Sequence, residues 1–134
     1  AYVSARITDR NGSALLEAIN GDPEFRLAAR YWNGEFKLGM GAAEAYIFRV
    51  RDGRVGSVNR SPAPFDAWDF EIAGPPEGWA EILRREPRPF YQDVASAVFR
   101  HGFTLGGDLE AYFAYHAALR RIVAVMRERC GTDV

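Results

Sequence analysis

The chain has 134 residues, 48% hydrophobic and 13% aromatic, with a formal net charge of -1; a domain of this size buries about 68% of the surface its unfolded chain would expose. That charge balance supplies no basic field for nucleic acid, and no apolar run approaches the ~20 residues of a membrane helix. The single cysteine, Cys130, excludes an internal disulfide and has no metal-ligand neighbour, while the opening Ala-Tyr-Val-Ser-Ala-Arg lacks the blocks of a signal peptide, so a cytoplasmic protein is expected.

In chain order, Asn11 or Ser13 caps a short helix through Ala14, Leu15, Leu16, Ala18 and Ile19, which Gly21-Asp22-Pro23 ends. The period then changes. Residues 25–32 and 35–41 flank Asn33-Gly34, and 43–51 and 54–59 flank Asp52-Gly53; each dipeptide suits a two-residue type I′ turn, because both central residues need positive φ. Two such hairpins in succession predict an antiparallel meander. Phe36, Leu38 and Met40 alternate with Glu35, Lys37 and Gly39, and Tyr46, Phe48 and Val50 alternate with Ala45, Ile47, Arg49 and Arg51, which puts one set on a covered face.

After Pro62 and Pro64, Trp68, Phe70 and Ile72 alternate with Asp69 and Glu71 as the next strand. Helices are expected over 77–85 and 90–100, the second carrying Phe90, Val94, Ala97 and Val98 at helical spacing. Residues 102–106 read as a fifth strand with Phe103 and Leu105 pointing one way. The terminal helix is the longest. Its stripe of Leu109, Tyr112, Phe113, His116, Leu119, Val123 and Met126 should pack on the sheet, with Asp108 as its N-cap, while Arg120, Arg121, Arg127 and Arg129 gather where the macrodipole favours cations.

This order of elements predicts an α+β domain with a five-stranded, mainly antiparallel sheet covered by helices. Gly102-Phe103-Thr104-Leu105-Gly106-Gly107-Asp108, together with Trp79 after the fourth strand, resembles the late strand and helix start of the sterol carrier protein 2 (SCP2) sterol-binding domain family, and the similarity runs from about residue 15 to 126. The resemblance implies a single lipid-binding domain over 1–134, with an apolar tunnel between sheet and helices for fatty acyl chains, acyl-CoA, sterols or similar molecules. It implies no cofactor, no metal and no catalytic residue. The terminal Gly-Thr-Asp-Val is not a peroxisomal Ser-Lys-Leu signal. Enclosing ~10 methylenes at about 0.8 kcal/mol each gives ~8 kcal/mol before association costs, enough for roughly micromolar binding.

The candidate lining of such a cavity is Phe36, Leu38, Met40, Tyr46, Phe48, Trp68, Phe70, Trp79, Phe99, Phe103, Tyr112 and His116, although rings fill cores as readily as pockets. His116, four residues after Tyr112, is the polar candidate. A neutral imidazole there holds a ligand headgroup, or serves with Tyr112 or Tyr46 as the acid-base pair of a small isomerase, cyclase or dehydratase; a core histidine bonded to backbone is the plainer reading. Asp108 stands ~12 Å from His116 along a helix axis, too far for a direct hydrogen bond. Asp66, Asp69 and Glu71 read as solvated rather than metal-binding. Arg84, Arg85 and Arg88 read as a solvated charge run, with CoA phosphates or transient contact with an anionic membrane surface as the alternative. Gly39-Met40-Gly41 lacks the third glycine and the helix of a dinucleotide site, and no nucleophile elbow or Cys-His pair is present. The remaining alternative is an interaction domain whose sheet edge or apolar face forms a homodimer.

Overall fold

A computed structural model of the chain describes residues 9–41, 44–84, 98 and 102–130. Gly21-Asp22-Pro23 both ends one helix and starts another. The first, α1 (Asp9–Gly21), begins upstream of the two caps that the sequence suggests. In α2 (Pro23–Ala28), Asp22 stays extended, its carboxylate accepts a 2.8 Å hydrogen bond from Phe25 N, and Pro23 brings a preset φ to the first turn. Residues 25–32 are therefore not a strand: Phe25, Ala29 and Trp32 turn inward at four- and three-residue spacing and are buried. Nor is Asn33-Gly34 a hairpin turn. Gly34 opens β1 (Gly34–Met40), and Asn33 Oδ1 accepts 2.9 Å from Asp52 N, steadying a turn elsewhere.

That turn is the one correctly expected hairpin, between β2 (Ala45–Arg51) and β3 (Arg54–Asn59), with Asp52 and Gly53 at φ 52° and 75°. The strands β4 (Phe70–Gly74) and β5 (Thr104–Gly107) complete a five-stranded sheet of order β3-β2-β1-β4-β5. Every neighbouring pair is antiparallel except β1 and β4, which run parallel. With 25–32 in α2 and the turn that follows it, one side of β1 is open, and the chain returns from β3 across residues 60–69 to fill it. Asp69 fixes that junction. Its N–H donates to Glu35 O at 2.8 Å, its Oδ2 accepts from Glu35 N at 3.0 Å, and its carbonyl accepts from Asp108 N at 2.7 Å, so this exposed carboxylate, solvated as expected, also staples the junction. On the β3 edge, the Asn20 amide pairs with both backbone groups of Val55, at 3.0 and 2.9 Å, and covers what would be open hydrogen-bonding groups.

Trp79 follows β4 on α3 (Pro76–Ile82), as expected. The expected helix over 90–100, with Phe99, His101, Arg85 and Arg88, lies outside the described residues apart from helical Val98. The terminal helix is two helices, α4 (Leu109–Ala114) and α5 (His116–Cys130), broken at Tyr115 with φ -115° and ψ 20°. At the break, the Tyr115 ring stacks 4.7 Å from Trp32 and its hydroxyl donates to Tyr31 O at 3.3 Å. Asp108 caps α4 through Ala111 N at 3.1 Å. The predicted stripe is corrected in consequence: Leu109 and Phe113 are exposed, while α5 buries Ala118, Leu119, Ile122, Val123, Val125 and Met126.

Candidate functional site

Pairing of β1 with β2 and β4 aligns Phe48, Phe36 and Phe70 in one row across three strands. Their rings stack at 4.9 and 5.6 Å with interplanar angles of 9° and 7°. Trp32 lies over Phe36 at 5.4 Å, and Tyr112 meets Phe70 edge-on at 5.7 Å. Each such pair adds about 0.5–1.5 kcal/mol beyond area burial, so this end of the inner face is filled and stiff. The next row is Tyr46, Leu38, Ile72 and Leu105, with Met40 beyond it, and there the side chains are largely aliphatic or thioether.

At that second end, the Phe103 ring packs at 5.3 Å on Trp79, whose Nε1 donates to Gly39 O at 2.8 Å and ties α3 to β1. Gly74 and Gly78 form the slot that admits Phe103: a Cβ on either would lie 2.5 Å from its ring. Of the candidates, Phe36, Leu38, Met40, Tyr46, Phe48, Phe70, Trp79, Phe103 and Tyr112 share one buried cluster. Trp68 and His116 are half-buried, and Phe99 lies outside the described residues. His116 Nδ1 is 3.2 Å from Tyr112 OH, whereas the Tyr46 hydroxyl donates to Glu44. Four contributors were not anticipated: Trp32 and Tyr115, placed by the irregular segments around them, and the two glycines, whose spacing of four around Pro75-Pro76 was the available signal.

The outer face differs in kind. Lys37 pairs with Glu71 at 3.4 Å and Arg49 with Glu35 at 3.2 Å; Arg84 meets Glu81 at 3.4 Å beyond the sheet. The row Ala45, Gly39, Ala73 and Thr104 floors a groove of about 470 Å³ that Gly41, Gly74, Pro75 and Gly102 also line. Register alone brings these small residues into one row, so no local sequence signal marks it. Among the described residues, no group of three or more His, Cys, Asp or Glu could hold a metal. The Asp22 carboxyl is held below its ordinary range, chiefly by its hydrogen bonds from Arg121, and burial lowers the Arg127 pKa.

No family model and no curated protein matches the chain. Solved structures are. A crystal structure of sterol carrier protein 2 gives a TM-score of 0.72 at 23% identity, over 91% of this chain and 97% of that one. The chain has an SCP2-like fold. A solution structure from Thermus thermophilus, described as a conserved hypothetical protein and possibly a sterol carrier protein, also gives 0.72, at 22% identity over 100% and 97% of the two chains. The UbiJ-SCP2 ubiquinone synthesis protein gives 0.55 at 17% identity over 84% and 86%. Among the described residues of this SCP2-like fold, no helix is long and apolar enough to cross a membrane.

Proposed function

We propose that this SCP2-like chain is one lipid-binding domain over 1–134 that carries an apolar ligand such as a fatty acid, acyl-CoA or sterol. The observation that supports the reading most is compositional and geometric together: among the described residues the buried side chains are hydrophobic, and no polar or charged residue is buried with them. A guest taken into such an interior must be apolar, since an unpaired buried charge is costly. The description of one similar structure as sterol carrier protein 2, and of another as possibly a sterol carrier protein, supports the same class.

The ligand contacts the inner face at the Leu38, Met40 and Tyr46 end, with Trp79 and Phe103 beside it, because thioether and aliphatic side chains yield more readily than stacked rings. Phe36, Phe48, Phe70 and Trp32 form the rigid wall behind it. Tyr112 and His116 offer a hydroxyl and an imidazole to a headgroup. On this reading the protein works in the cytoplasm, collects its ligand by transient contact with a membrane surface, and needs neither cofactor nor catalytic residue.

Titration with a fluorescent fatty acid and a fluorescent sterol tests the proposal, with tryptophan quenching as the second signal. Saturable binding is expected, and mass spectrometry of lipid extracted from the purified protein names the class. No binding of either probe at about 50 µM, well above the roughly micromolar affinity expected for ~10 buried methylenes, overturns the proposal. The 3.2 Å approach of His116 Nδ1 to Tyr112 OH favours a second reading, an acid-base pair acting on an apolar substrate. His116→Gln separates the two: it abolishes turnover in an enzyme and changes a carrier's affinity only modestly.

A further inference from the structure

The arginines of α5 play no part in holding an apolar guest, yet three of them share one groove. Arg120, Arg121 and Arg127, with Ala117 and Ala124, form the α5 wall of a groove of about 310 Å³ whose α2 wall is Glu24 and Ala28. They occupy the outward stripe of α5, opposite the buried Leu119, Ile122, Val123 and Met126. Alanine at the intervening positions keeps the floor low, so the long guanidinium side chains stand above it.

Two of these cations are anchored. Arg121 grips Asp22 through Nε and Nη2, both at 2.9 Å, and its Nε lies 3.4 Å from Glu24. Arg127 donates through Nε at 2.9 Å and Nη2 at 2.7 Å to Ile82 O, at the end of α3. A guanidinium has five N–H donors, and the Nη1 group of Arg121 makes no hydrogen bond among the described residues. Arg120 makes no hydrogen bond or ion pair among them either. The groove therefore presents three cations against Glu24, with Asp22 and Glu128 acting on Arg121, and the planar forks of Arg121 and Arg127 are held in place before any ligand arrives.

We propose that the groove between α2 and α5 is an anion site for a phosphate or pyrophosphate group, bound by Arg120 and the free edge of Arg121, with Arg127 as a fixed positive charge. The proposal goes beyond the carrier reading and does not depend on it. The group belongs either to a soluble phosphorylated molecule or to a lipid headgroup at a bilayer surface, and the same chemistry recognises both.

The test uses the full chain at low ionic strength, where surface electrostatics are least screened. Calorimetric titration with inorganic pyrophosphate is one arm; cosedimentation with phosphatidylcholine vesicles, with and without phosphatidic acid, is the other. Arg120→Glu is compared with Arg54→Glu, an equal charge change at an exposed position on β3. Saturable pyrophosphate or phosphatidic-acid binding is expected, weakened at least about tenfold by Arg120→Glu and no more than about twofold by Arg54→Glu. Vesicle binding that pyrophosphate competes away assigns the source to a headgroup, and pyrophosphate binding alone assigns it to a soluble ligand. No saturable binding in either arm, or equal losses in the two variants, overturns the site. Circular dichroism checks the fold of Arg120→Glu, and Arg120→Gln gives the same comparison if the charge reversal misfolds.

Discussion

Phe36 and Lys37 are neighbours in sequence on β1 and belong to different environments. Phe36 is fully buried between the rings of Phe48 and Phe70, whereas Lys37 on the opposite face is partly exposed and pairs with Glu71. The same register that aligns the three rings on one face aligns Ile47, Lys37 and Glu71 on the other. One strand thus supplies a wall of high packing energy and a surface of weak, adaptable contacts. Cohesion belongs to the first face and tolerance of change to the second.

The sharpest way to break that contrast is at Phe36. Phe36→Ala leaves a ring-sized void among stacked neighbours and should cost about 3–5 kcal/mol in urea unfolding. Lys37→Ala, one residue away, removes a half-exposed ion pair and should cost no more than ~1 kcal/mol. Similar losses from both variants would mean that the two faces do not divide the work as described.

Glycines give a second contrast. A Cβ on Gly74 would sit 2.5–2.6 Å from three atoms of the Phe103 ring, inside a slot closed on its other side by Gly78. Gly74→Ala should therefore cost about 1–3 kcal/mol by overpacking. On the outer face, a Cβ on Gly39 would meet the Ala73 methyl at 3.3 Å as its nearest neighbour, with Ala73 Cα at 3.6 Å and Glu71 Oε2 at 3.7 Å. A small shift accommodates it, and the lower backbone entropy of alanine offsets the crowding, so Gly39→Ala should change stability by less than ~1 kcal/mol. Thermal melts of the two variants, measured side by side, decide the order.

What the sequence reveals follows the same division. Alternation in 36–40 and 46–50 is a local signal, so the covered face was legible down to Phe36, Leu38, Met40, Tyr46 and Phe48. The parallel pairing of β1 with β4 joins segments more than thirty residues apart and leaves no local trace. Residues 25–32 read as a strand in the sequence because Asn33-Gly34 carries the chemistry of a hairpin turn, while the Asn33 side chain in fact supports Asp52. Asp22-Pro23, read only as a stop, is also the start of α2. The stripe through Leu109 and Phe113 failed because Tyr115 is drawn onto Trp32, a contact eighty-three positions away in sequence. The Tyr112 and His116 pair was legible from its i, i+4 spacing. Whether a ring lines a pocket or a core was not legible, since both ask for the same side chain.

Asp22 offers a smaller test at the rim, where α2 meets α5. It caps α2 and binds Arg121, so Asp22→Ala should cost about 1–2 kcal/mol at neutral pH. The folded carboxyl is depressed, chiefly by Arg121. A depressed acid contributes stability above its unfolded pKa of about 3.9 and loses that contribution as the pH falls through the lower folded value. The gap between wild type and Asp22→Ala in urea midpoint should therefore narrow below about pH 4. A gap that stays constant from pH 7 to pH 3 would show that the charge of the carboxylate, which serves both the cap and the ion pair, carries little of the effect.

The smallest expected effect bears most directly on where an apolar guest sits. Ala73 points to the outer groove and its neighbour Ile72 to the inner face. Ala73→Leu fills part of the groove without entering the ring cluster, so with a ligand held on the inner face its affinity for the fluorescent fatty acid should stay within about twofold of wild type, the range of a surface change of ~0.5 kcal/mol. A loss of tenfold or more would relocate the guest to the floor of Ala45, Gly39 and Ala73, and would make the stacked rings a scaffold for that outer trough. Stability measured on the same sample separates the cases, because a ligand effect caused by general unfolding would lower the melting temperature, whereas a blocked groove would leave it unchanged.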